Sequence, residues 1–402
     1  MWFNRVSYSK HKETVISSET GSIQVSNNRI FAMVLLSNPG GVAGVVLPTL
    51  VNAFVASGIS IGVATRLIAT ELMACALVTL IAPLFINIVN RRYLAFTAIL
   101  LSAAGQLLSL EVKTTALIFA CRAGAGLGAG LLYALAVASL SATAKPTRSL
   151  AIMLASNLIS ATVIMALISW LARTTPTAAI LVMGIFVILQ LPFVPALPAH
   201  VRVASNQPRT TSSIGNWRLV ILGLVGMFFF AMTFGAIWPM IGQIGAKQGI
   251  DHRMIALGFS VAGFGGIAGA IVSAALSNKL ARRTALLLGA TCYAICILLA
   301  LSPAFVAAMI LMMFCFTFTI PHYISLLTAI DTTGRLSVLT SAMIPFGIAA
   351  GQTFAGILAS YAFSFVVYGG EATLLSSLAV IMLATTFMRR ENESPGNLNA
   401  LA

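Results

Sequence analysis

Charge is scarce in this chain. Only 8% of its 402 residues are Asp, Glu, Lys or Arg, against 59% hydrophobic, and no water-soluble domain of this length tolerates that ratio. Acids number only nine against 23 basic residues, with four histidines. Scattered as they are, they form neither a nucleophile-and-base cluster nor a ligand set, which argues against a membrane-embedded enzyme. No G-x-x-x-x-G-K-S/T loop occurs, so ATP is not an energy source within the chain, and no cofactor or metal is implied. The five cysteines, Cys75, Cys121, Cys292, Cys296 and Cys315, all fall in apolar runs. Disulfides are not expected there, and Cys292 with Cys296 on one helix face reads as packing before it reads as a metal pair. Residues 1–28 are polar and lack an apolar signal core, as expected of a cytosolic tail.

Long apolar runs, by contrast, are plentiful. Twelve are of a length to span, at about 30–54, 61–86, 93–110, 115–141, 149–171, 178–197, 219–243, 254–276, 285–302, 304–329, 337–361 and 372–388. The expected fold class is therefore all-α and integral to the membrane, with twelve transmembrane helices. The net charge of +14 follows topology and does not imply nucleic acid. Alternate loops hold Arg91, Arg92, Lys145, Arg148, Arg282, Arg283, Arg389 and Arg390, while the loops of the other side hold only Lys113, Arg173, Lys247 and Arg253. The positive-inside rule then places both termini in the cytosol of a multi-pass protein of the cytoplasmic (inner) membrane.

The polar stretch 198–218 divides the spans six and six. The expected organisation is a cytosolic tail at 1–29, a six-helix bundle at 30–197, a cytosolic linker at 198–218, a second bundle at 219–388 and a cytosolic tail at 389–402. A repeat supports this division. PLFINIVNRR, from Pro83 to Arg92, and AALSNKLARR, from Ala274 to Arg283, each place asparagine five residues before a closing arginine pair, 191 residues apart. Arg148 before the fifth span and Arg335 before the eleventh form a second echo. Internal duplication of this kind marks transporters whose pseudo-symmetric halves close on a midplane site.

Two charges stand out within the spans. Arg122 lies in CRAGAGLGAGLLY and must face protein or a watery cavity, because an arginine in hydrocarbon costs from about 3 to more than 10 kcal/mol. Helical spacing puts Arg122, Gly126 and Tyr133 on one face, while Gly124 with Gly128 and Gly126 with Gly130 allow close approach on two sides. Glu71 is the only carboxylate expected well inside a span, at a depth matching that of Arg122. Glu71 is the candidate proton-coupling site, with Arg122 its partner or a substrate anchor; a static buried pair is the alternative. Asn38, in SNPGGVAG, marks a weakened first helix of the kind that lines transport sites. His322 follows Pro321 in the tenth span and either carries a proton, binds substrate or simply bonds between helices.

Together these features make the chain resemble the major facilitator superfamily over essentially its whole length. The two repeated loops look like degenerate copies of the family's G-x-x-x-D-R-x-G-R-R loop. Pro83 and Ala274 replace the glycine, Asn87 and Asn278 the aspartate, and Ile88 and Lys279 take the first basic position. The resemblance implies an inner gate built from Asn87, Arg91, Arg92, Asn278, Lys279, Arg282 and Arg283, weaker than the family's because asparagine only hydrogen-bonds. Arginines that serve only as topology signals are the alternative. Asp331 and Arg335, flanking a turn, either cap it or join that gate.

The fourth span is similar to an R-x-x-x-G-x-G-x-G pattern through Arg122, Gly126, Gly128 and Gly130. The fifth span has neither glycine nor proline, so it lacks the G-x-x-x-G-P-x-x-G-G motif of drug antiporters, though Gly347, Gly351, Gln352 and Gly356 in the eleventh echo it. The resemblance further implies that the first, fourth, seventh and tenth helices line the cavity. That raises Trp238, which ends the stripe Phe230, Phe234, Trp238, from a packing residue to a candidate wall. The candidate substrate-binding set is thus Asn38, Arg122, Tyr133, Trp238 and His322, and the proton-coupling set Glu71, Arg122 and His322. The expected function is alternating-access secondary transport of a small organic solute, coupled to protons, by a monomer. An anionic or zwitterionic metabolite would suit these groups. An uncoupled facilitator, a drug or metabolite efflux antiporter, and more remotely a sensor are the alternatives.

Overall fold

The computed structural model describes residues 26–86, 88–143, 146–172, 174–175, 177–199, 217–276, 279–330 and 336–392, and its architecture is helical. The first half contains α1 (Asn27–Ala43), α2 (Leu47–Ala56), α3 (Ile61–Ile81), α4 (Arg91–Glu111), α5 (Thr115–Ser141), α6 (Pro146–Leu171) and α7 (Ala178–Ile188). The second contains α8 (Trp217–Ile237), α9 (Ile241–Lys247), α10 (His252–Leu276), α11 (Arg282–Leu299), α12 (Phe305–Ile330), α13 (Leu336–Ala359) and α14 (Phe363–Asn392). Among the described residues eleven helices, counting α8 and α9 as one, are long and apolar enough to cross a membrane; α1 and α2, bent by 56°, form one further broken span, the first in chain order.

The bends come from proline. Pro48 sits in the first turn of α2, and Pro239 lies in the 3-10 turn Trp238–Met240 that joins α8 to α9. A proline lacks the N–H that would continue the preceding helix. The two prolines are 191 residues apart, the spacing of the repeated basic loops and the sequence separation of the bonded pair Asn52 and Gln243. Gly58 and Gly249 share it too, and both take positive φ (87° and 78°) to turn the chain after these broken spans.

Packing repeats in the same register. In the first half α5 packs on α1, α3 and α4, α4 on α7, and α1 on α6; in the second α12 packs on α8, α10 and α11, α11 on α14, and α8 on α13. Two equivalent contacts join the halves, α3 with α13 and α6 with α10. The result is two pseudo-symmetric six-helix bundles meeting along a seam.

Glycine sets the approach of α5 to its neighbours. A methyl group at Gly126 or Gly130 would collide with the backbone of Glu71 or Cys75 on α3, and one at Gly128 with Ala98 and Ser102 on α4. The two small-residue ridges therefore face different helices, as their spacing predicts.

One expectation is corrected here. The twelfth helix begins at Phe363 and its apolar span runs Phe363–Ala384, not from 372, so Glu371 lies two turns inside it. Glu71 is not the only carboxylate within a span.

Candidate functional site

Arg122 and Glu71 meet. Arg122 Nη1 lies 3.0 Å from Glu71 Oε2, with the two residues 0% and 2% exposed. The pair is enclosed by α4: Gln106 Nε2 donates to Glu71 Oε1 at 2.8 Å, while Arg122 Nη2 donates to the Gly105 carbonyl at 2.9 Å and to Ser109 Oγ at 2.8 Å. Arg122 Nε reaches the same Ser109 hydroxyl at 3.2 Å, and its guanidinium stands 5.5 Å from the Phe54 ring centroid. Both carboxylate oxygens and both ends of the guanidinium are thus satisfied, as a buried charge requires. The absence of a Cβ at Gly126 lets α5 lie against the backbone of Glu71. A proton added to Glu71 would cancel the attraction that closes this cage.

The other expected substrate residues are placed differently. Asn38, 1% exposed, donates to Ser160 Oγ at 3.0 Å and accepts from Ser156 at 3.3 Å, while its neighbour Ser37 donates to Asn157 Oδ1 at 3.0 Å. These bonds form a polar seam between α1 and α6. Tyr133 packs against Gly40 of α1, where any Cβ would strike it. His322 is 3% exposed, 3.3 Å from Ser273 Oγ on α10 and beside the Phe318 ring. Trp238 is fully buried, stacks on Phe234, and donates its indole N–H to the Val45 carbonyl at 2.8 Å, across the seam. The structure brings Glu71 and Arg122 together and sets Asn38, Tyr133, His322 and Trp238 at separate helix contacts.

Of the basic-loop residues, Asn87, Asn278, Asp331 and Arg335 lie outside the described residues. Arg91 is 1% exposed and donates to Ser139 Oγ at 3.0 Å and to the Ile86 carbonyl at 3.3 Å. Arg92 donates to the Leu197 carbonyl at 2.9 Å, and Asn90 caps α4 by accepting from the Arg92 N–H. Lys279, Arg282 and Arg283 are exposed; Arg282 Nε donates to Ser325 Oγ at 3.0 Å. Each of these bonds stays inside one bundle.

Several polar side chains escaped the sequence reading. Gln106 and Ser109 complete the ion-pair cage, and their signal was faint: on α4 they stand among alanines and leucines with no motif around them. Gln352 of α13, noted in the sequence only within a motif echo and not as a binding residue, is 0% exposed with neither amide atom hydrogen-bonded. Four residues to either side, Ile348 reaches toward Gly44 of α1 and Gly356 abuts Thr65 of α3, so Gln352 lies on the α13 face that meets the first bundle. Glu371 also has an unbonded buried oxygen.

Comparison with known proteins accords with this architecture. Residues 223–401 match the sequence model of the Major Facilitator Superfamily. The xylose transporter XylE from E. coli, in an inward open conformation, superposes with a TM-score of 0.64 at 15% identity, over 88% of this chain and 94% of that one. A mutant form of the nucleoside transporter NupG gives 0.65 at 14% identity over 90% and 99%. A bacterial homologue of the human lysosomal transporter Spinster, inward-facing and unoccupied, gives 0.64 at 11% identity over 92% and 97%. No curated protein sequence matches. The family's sequence pattern thus lies in the second half of the chain, and nearly the whole chain takes the fold of these solved transporters.

Proposed function

We propose that this chain moves a small, neutral, polar organic solute across the cytoplasmic membrane by alternating access, as a monomer, with protons as the coupling ion. The observation that carries the reading is where the two bundles touch. Gln243 Nε2 donates to Asn52 Oδ1 at 2.9 Å, Trp238 bonds to Val45, and Gly356 abuts Thr65. All three contacts lie in the halves of the spans remote from the basic loops. By the positive-inside rule those loops are cytosolic, so the tails 1–29 and 389–402 and the linker 198–218 are too. The seam between bundles 30–197 and 219–388 is then shut on the outer side, in keeping with the inward-open states of XylE and the Spinster homologue.

Neutral solute is favoured because Arg122 is already engaged by Glu71, Gly105 and Ser109 and has little left for an anionic group. The unpaired amide of Gln352 offers an NH2 donor group and a carbonyl acceptor near mid-span, which suit a hydroxyl or amide. Hydroxyl-rich solutes are what the xylose and nucleoside transporters of similar fold carry, by their names. Coupling is assigned to Glu71: protonation releases Arg122, and loss of the proton restores the pair. Of the gate residues, Arg91, Arg92 and Arg282 would act at the cytosolic mouth, while Lys279 and Arg283 stand exposed at the same end of the second bundle.

The test is purified protein in vesicles, assayed with labelled D-xylose and uridine under an imposed proton gradient. Wild type should concentrate one of them, and Glu71→Gln should lose concentration while keeping counterflow. Full accumulation by Glu71→Gln would end the coupling role, and uptake that merely equilibrates in wild type would make the chain a facilitator.

A further inference from the structure

The two copies of the basic loop are put to opposite uses. In the first, Arg91 is buried and spent on Ser139 and Ile86, and Arg92 is tied to Leu197. In the second, 191 residues on by the same register that pairs Asn52 with Gln243, Arg282 and Arg283 are exposed, as is Lys279. Among the described residues no carboxylate pairs with these three cations. Arg283 Nη2 has the Met382 thioether of α14 at 3.4 Å, a weak acceptor for a guanidinium.

Arg283 also heads a groove. A depression of about 520 Å3 is lined by Arg283, Thr284, Leu287, Leu288 and Thr291. These positions form one stripe of α11 that runs about 12 Å from the basic end into the span. Beyond it the same exposed face continues with Ile295 and Leu298, 52% and 57% exposed. On a membrane helix such a face meets hydrocarbon, so the groove has a cationic mouth at the interface and an apolar floor below it. The α11 N-terminus, which begins at Arg282, adds partial positive charge at the mouth.

We propose that this groove along α11 is a binding site for an anionic phospholipid, its phosphodiester held by Arg283 together with the exposed Lys279 four residues before it, and one acyl chain laid along Leu287 and Leu288. A cation at interface depth above an apolar channel complements a lipid and not a water-soluble anion, which would leave the floor empty. Basic pockets between spanning helices recognise lipid headgroups in this manner. The site lies on the outer wall of the second bundle and does not depend on which solute is carried or whether protons drive it.

Native mass spectrometry of the delipidated full chain, titrated with phosphatidylglycerol and with phosphatidylcholine of identical acyl chains, tests this. Wild type should retain phosphatidylglycerol about tenfold more tightly. Lys279→Gln and Arg283→Gln should each weaken it about fivefold, the loss expected for one interfacial cation, and leave phosphatidylcholine unchanged. Leu288→Trp, on an exposed position, should fill the channel and weaken phosphatidylglycerol with both cations intact. Arg92→Gln, in the first copy of the loop, should not alter binding. Equal retention of the two lipids, an unchanged preference in the Lys279 and Arg283 variants, or displacement of phosphatidylglycerol by millimolar inorganic phosphate would overturn the assignment.

Discussion

An arginine at Arg122 persists in the middle of an apolar helix because each of its contacts offsets part of a large desolvation cost. Removing one partner of such a pair strands the other, at about 3–5 kcal/mol, whereas replacing both by apolar groups of similar volume is close to neutral. Arg122→Met alone should therefore lower the melting temperature in detergent sharply, and Glu71→Leu with Arg122→Met should recover most of it. The double variant should still equilibrate solute but not concentrate it; a double variant as unstable as the single would show that Gln106 and Ser109 cannot tolerate an apolar neighbour. Gln352 carries the reverse expectation. Its two orphaned amide atoms cost about 1–3 kcal/mol each, so Gln352→Leu should stabilise the protein while raising KM for the solute. A stabilised variant with an unchanged KM would remove Gln352 from the site. The charged pair was legible from sequence because charge is so rare here. The amides were not, since one glutamine among alanines and leucines carries no periodic signal, and Glu371 was missed through a boundary nine residues late.

At the scale of the helix, α5 is held by what it omits. Gly126 faces the backbone of Glu71, and backbone, unlike a side-chain tip, cannot swing away. Overpacking of that kind costs about 1–3 kcal/mol. Gly126→Val should therefore force α3 and α5 apart, lower the melting temperature by several degrees, and misplace Glu71 enough to abolish accumulation. Gly44→Ala is the control: a methyl there meets only the tip of Ile348, at 3.9 Å, and should be silent. The opposed glycine ridges were readable because spacing alone dictates helix faces. The partner helices were not, because a ridge states how closely something can approach without naming it. The break of the first span was likewise foreshadowed by the weakened SNPGGVAG stretch, while the 56° between α1 and α2 needed tertiary packing to fix it.

For the whole molecule, duplication explains the most. When two halves descend from one pattern and pack about a pseudo-two-fold axis, a residue on that axis touches its own counterpart. Asn52 and Gln243 do so: they are repeat mates, 191 residues apart, and they bond at 2.9 Å. The ion pair breaks this symmetry, because the same register sets Ala262 and Met313, both buried, where the first half has Glu71 and Arg122. On the mechanism proposed above, energy coupling falls to one bundle and the gating contact to both. The duplication was visible in the basic loops, but that it would place two polar side chains in contact on the axis was not, since sequence fixes register and leaves docking angle open. The contact invites a direct trial. With Asn52→Cys and Gln243→Cys, a short thiol cross-linker should join the bundles, arrest solute exchange in vesicles and release it on reduction, while either single variant exchanges at nearly the wild-type rate. Exchange that continued through the cross-linked protein would mean that this seam need not part during transport, and that access to the outer side is gained elsewhere.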